Sequence, residues 1–123
     1  MSGLLSLTGL LAVTIPAFAA DDCRQPSRPS MPDGAKASMD AMLAGQKAVK
    51  AFQASNMEYM QCLEREYSAA DSRAKKSRDA DVQERSKADY ARSIDAYNAA
   101  VSAEEDIASQ FNVELRAYKA ANR

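Results

Sequence analysis

A cysteine and three prolines, Cys23, Pro26, Pro29 and Pro32, recur at every third position, and Asp33-Gly34 follow them. Polyproline II has three residues per turn, so this spacing lines all four up on one edge of an extended segment. Such an edge suits packing along another element. The only other cysteine, Cys62, lies inside a long stretch of helix-forming sequence. The spacing therefore predicts an arm over residues 20–34 that folds back along a helix and is locked there by a Cys23–Cys62 disulfide.

The sequence ahead of the arm fixes the redox setting. Residues 1–20 carry no charged side chain, Leu4 to Ile15 is almost wholly apolar, and Ala17-Phe18-Ala19 has the small-x-small form of a signal-peptidase site. A signal peptide over 1–19, cleaved after Ala19, is expected. No Lys or Arg precedes the apolar run, so an uncleaved anchor is the alternative. Pro16 and the shortness of the run count against it, because a span needs about 20 apolar residues. Export to the periplasm or beyond fits two cysteines held in one disulfide.

From residue 35 to residue 78 there is no proline and one glycine, Gly45, among residues that favour helix. Met39, Met42, Val49, Phe52, Tyr59, Met60, Leu63 and Tyr67 recur at helical spacing. Helix 1 is expected over 35–78, with Asp33 as its N-cap. Large apolar residues then thin out around Asp79-Ala80-Asp81, where a turn is expected near 78–81 with Asp81 as the next cap. Helix 2 is expected over 82–121, with a face of Tyr90, Ile94, Tyr97, Val101, Ala108, Phe111, Leu115 and Tyr118, flanked by Ile107.

The short connection makes the helices antiparallel neighbours. Folding the chain about residue 79 or 80 brings Leu63 level with Tyr97, Phe52 with Ile107, Val49 with Phe111 and Met42 with Tyr118. Asn56 falls opposite Glu104, a polar layer able to fix register. The expectation is one all-α domain, residues 20–123: a long, coiled-coil-like two-helix hairpin with a polyproline II arm along helix 1. One unbroken helix needing a partner chain is the alternative. So small a core favours a second copy, for instance in a four-helix bundle.

The run Cys23-x-x-Pro26-x-x-Pro29-x-x-Pro32-Asp33-Gly34, followed by Met42, Gln46-Lys47-x-Val49-Lys50, Phe52, Tyr59 and Cys62-Leu63, resembles a group of small exported proteobacterial proteins of unknown function. The resemblance covers roughly residues 21–67. It implies export and the disulfide, and it brings no activity with it.

The chemistry available to the chain is narrow. There is no histidine, which removes the usual general base near neutral pH and the commonest transition-metal ligand. Cysteines held in a disulfide supply neither a nucleophile nor a thiolate ligand. No Gly-rich phosphate loop is present. A net charge of −1 argues against nucleic-acid binding and against adhesion to an anionic membrane. Glu104-Glu105-Asp106 is the densest acidic run, but consecutive helical residues point in different directions. No enzyme activity, catalytic residue, metal site or cofactor is expected.

Two features invite contact with other molecules. The tip carries Arg73, Lys75, Lys76, Arg78, Arg85 and Lys87 among acidic residues, which reads as a solubilising, internally paired end or as a docking surface. Met31, Met39, Met42, Met57 and Met60 offer an adaptable apolar lining. The functional expectation is a structural or adaptor protein of the cell envelope, working on a protein partner or on itself. Binding of a small apolar ligand and chaperone activity are the alternatives.

Overall fold

The computed structural model describes residues 22–123. The expected signal segment, residues 1–19, lies outside them. Two helices pack against each other as an antiparallel hairpin: α1, Met39–Lys76, and α2, Ala80–Ala121. Their 38 and 42 residues make rods of about 57 and 63 Å at 1.5 Å per residue. The described residues contain no strand, and no helix among them is long and apolar enough to cross a membrane.

Helix α1 begins later than residue 35. The Asp33 carbonyl accepts from the Lys36 and Ala37 amides, and its carboxylate accepts from the Ala35 amide, which closes one isolated turn. Gly34 explains why that turn stands apart from α1. Its amide donates to the Glu114 carboxylate of α2 at 2.7 Å, so this part of the chain is tied to the opposite helix. Ser38 then caps α1, its hydroxyl accepting from the Ala41 amide. The far end shows a similar shift. The Asp79 carboxylate accepts from the Asp81 and Val82 amides, so Asp79 rather than Asp81 is the N-cap of α2. Asp81 instead sits in the first turn, where a negative charge favours the helix dipole. The Gln83 side-chain amide donates back to the Ser77 carbonyl and braces the connection, residues 77–79.

The expected pairing is present. Met42, Val49 and Phe52 form one buried cluster with Ala103, Ile107 and Phe111, and Met31 of the arm, Leu115 and Tyr118 pack against it. Asn56 is 1% exposed; its side-chain amide donates to the Ala100 carbonyl at 2.9 Å and to the Glu104 carboxylate at 3.2 Å. A buried polar group left without such partners costs about 1–3 kcal/mol, so this layer penalises slippage.

The face of α2 differs from expectation. Its buried positions include Ser86, Ser93, Ala100 and Ile107, spaced by seven, with Ala103 and Phe111 beside them. Ile107, expected only to flank the seam, is 1% exposed. Tyr90 and Val101, expected in the seam, are 39% and 36% exposed. In α1 the corresponding buried set is Met42, Gly45, Val49, Phe52, Asn56, Leu63 and Ala70. Small side chains thus occupy much of the seam, which lets the helices approach closely and turns the larger Tyr, Ile and Val side chains onto a flank.

Candidate functional site

The arm is built as a strap. Cys23 and Cys62 form a disulfide with a Cα–Cα distance of 5.5 Å. Residues 22–32 have neither helix nor strand, and Cys23, Pro26, Pro29 and Pro32 are half-buried while Arg24, Gln25, Ser27, Arg28 and Ser30 are exposed. Burial therefore follows the three-residue spacing of the prolines. The arm runs antiparallel to α1: Cys23 is bonded to Cys62, and Pro32 lies over Gly45. It also reaches α2, where Arg28 pairs with Asp106 at 3.0 Å. Both partners are half exposed, so the pair orients the arm more than it stabilises it.

Two glycines make the close contacts possible, and composition gave no hint of either. A Cβ on Gly34 would lie 1.8 Å from the Glu114 carbonyl oxygen, so only glycine fits against the α2 backbone. A Cβ on Gly45 would meet the Pro32 Cγ and Cδ atoms at 2.9 Å. Neither glycine has positive φ; both are required by proximity. Between the arm and α1 runs a cleft lined by Pro26, Pro29, Ala51, Phe52, Ser55 and Tyr59. Beyond Cys62 the strap ends. The groove between the helices continues there, floored by Ala69, Ser93 and Ala96 and edged by Arg65, Arg73 and Arg92.

The charged tip is largely committed to itself. Arg73 pairs with Asp89 at 3.6 Å, Lys75 with Asp71 at 2.7 Å and Lys87 with Glu84 at 3.5 Å, while Arg92 also pairs with Asp89. Hydrogen bonding to Asp71 holds the Lys75 ammonium above its ordinary pKa. Arg73, Lys75 and Lys76 occupy the last turn of α1, where cations favour the helix dipole. Arg78 lies in the connection, and Arg85 is exposed on the first turns of α2.

The acidic run points three ways: Glu104 serves Asn56, Asp106 serves Arg28, and Glu105 is exposed. Glu66 lies with the two cysteine sulfurs in a group whose potential ligand atoms are within 4.8 Å of one another, but sulfurs joined to each other are not thiolate ligands. The five methionines do not converge on one lining. Met42 is in the core with Met31 against it, Met39 and Met57 are exposed, and Met60 is half-buried. Tyr67 packs edge-on against Tyr90 and Tyr97, with ring centroids 6.0 and 6.1 Å apart. Partial burial raises the Tyr67 phenol above its ordinary pKa, and the charge of Glu64 adds to the effect.

Comparison of the chain with protein-family models, curated proteins and solved structures gives no match.

Proposed function

We propose that the protein is an exported, non-enzymatic helical hairpin that works through protein–protein contacts, as a structural component or adaptor of the cell envelope. The observation that carries this reading is the strap. A disulfide, two close-contact glycines and a buried Asn layer all serve to hold one elongated shape. The polar groups best placed for chemistry, Glu104, Asp106, Glu114 and Asp89, are engaged in holding that shape. The disulfide accords with an oxidising compartment such as the periplasm. A polyproline II arm accounts for the spacing: Cys23 to Pro32 covers about 28 Å at 3.1 Å per residue. Gly45 to Cys62 covers about 26 Å of helix.

The test is a pull-down from envelope fractions with the oxidised protein as bait. Specific retention of a protein is expected; robust turnover in a broad hydrolase and redox screen would sink the reading. The cleft beneath the arm, with Phe52 and Tyr59 in its wall, favours one second reading, a site for a small apolar ligand. Native mass spectrometry that finds only the bare polypeptide removes it.

A further inference from the structure

Six large apolar side chains are exposed among the described residues: Met39, Leu43, Met57, Tyr90, Val101 and Val113. Five of them share one side of the hairpin. At 100° per residue, Met39 and Met57 lie about 80° around α1 from Val49, and Leu43 lies about 120° in the same sense. The arm-side residues Ser55, Tyr59 and Cys62 lie about 80–140° in the opposite sense. On α2, Tyr90 and Val101 lie about 80–100° from Ala100, whereas Asp106, which holds the arm, lies about 120° the other way. Val113 is the exception and falls on the arm's side. Half-buried Met60, Ile94, Tyr97 and Leu115 extend the same flank. The hairpin therefore has a strapped face and, opposite it, a bare apolar one.

We infer that the bare face is covered by a second copy of this chain, packed antiparallel about a two-fold axis that passes the level of Met57 and Val101. This rests on the reading of the protein as one that works through contacts, and it names the surface and the partner. Three observations carry it. First, Asn56 bridges the Ala100 carbonyl and the Glu104 carboxylate, which sets Met57 and Val101 side by side at one level. Second, the charges on the face are self-complementary about that level. Lys50 and Glu64 lie seven residues, two helical turns, to either side of Met57 on the same stripe, so the two-fold brings Lys50 of each copy to Glu64 of the other. The same operation brings Ile94 opposite Ala108 and Val101 opposite Val101, which keeps α2 apolar against α2. A single charged pair placed symmetrically about an apolar centre is what an isologous contact requires. Third, the size fits. From Met39 to Tyr67 the face runs about 42 Å, and two packed helices are roughly 19 Å wide, a footprint near 800 Å². That matches the roughly 800 Å² per partner of a stable interface.

The experiment uses the oxidised protein. Sedimentation equilibrium at roughly 100 μM should give twice the chain mass. Met57→Cys should form an interchain disulfide in air, while Val113→Cys, equally exposed but on the other face, should not. Lys50→Glu should weaken the dimer about tenfold by placing like charges together twice, and Lys50→Glu with Glu64→Lys should recover it. A monomer at that concentration overturns the inference, as does cross-linking at position 113 as efficient as at position 57. A monomer that still retains an envelope protein overturns the second copy alone and leaves the contact-based function standing.

Discussion

Gly45→Ala tests the seating of the arm, because two effects of known sign oppose each other there. Alanine in a helix interior is favoured over glycine by about 1 kcal/mol. The new Cβ, however, would meet two ring atoms of Pro32 at 2.9 Å. The ring cannot retreat easily, since the arm is held upstream by the Cys23–Cys62 disulfide and downstream by the Gly34–Glu114 bond. Overpacking of this kind costs about 1–3 kcal/mol. The expected net effect is a loss of about 1 kcal/mol, or a fall in Tm of about 5 °C. Pro32→Ala removes the Cγ and Cδ atoms. In that background Gly45→Ala should stabilise by about 1 kcal/mol, as helix propensity alone dictates. The double-mutant cycle, measured by urea unfolding of the four oxidised proteins with far-UV circular dichroism, should give a coupling near 2 kcal/mol. Effects of proline on the unfolded chain cancel in the cycle. A coupling under about 0.5 kcal/mol, or stabilisation by Gly45→Ala in both backgrounds, refutes the seating of Pro32 on Gly45.

Cys62→Ser opens a loop with a sequence separation of 39 and should cost about 4 kcal/mol. That corresponds to a Tm lower by about 15–20 °C, and an unchanged melting curve would refute the strap. Alkaline pH should weaken the fold. The folded-state pKa values of Tyr67 and Lys75 both lie above their ordinary 10.0 and 10.5, so their contribution is fully present below about pH 10 and is lost as pH rises through the folded values. Tm should therefore fall above about pH 10, less steeply in Tyr67→Phe; a Tm independent of pH across that range contradicts the assignment.

The hairpin and its register are legible in the residues because both depend on spacing. Phe52 with Ile107 and Asn56 with Glu104 follow from folding one periodic pattern onto another, and the disulfide follows from a proline spacing and a reach. The face of α2 is harder to read, and the reason is side-chain size. Ranking residues by hydrophobicity selects Tyr90, Ile94 and Val101, but a seam between two closely approaching helices is narrow and prefers small side chains. The seven-residue spacing of Ser86, Ser93, Ala100 and Ile107 marks it, once serine and alanine are allowed as core residues. The capping sites moved for a related reason. Asp33 and Asp81 are sound caps locally, yet the Gly34–Glu114 contact and the Ser77–Asp79 turn decide where the helices start. Nothing in the residues around Gly34 and Gly45 reveals what approaches them, because the approaching groups, the Glu114 backbone and the Pro32 ring, come from other segments.

The strap also changes where the molecule can be tethered. In a plain hairpin the two ends of the chain emerge together at the open end. Here the chain returns along α1, so Cys23 sits level with Cys62, while Ala121 remains at the base near Gly34. Attachments ahead of Cys23 and behind Ala121 thus leave the protein about 35 Å apart, measured along the helices. A pull between them runs along the rod. The disulfide bears that load in shear, in parallel with the proline contacts, and the two helices are not peeled from each other one layer at a time.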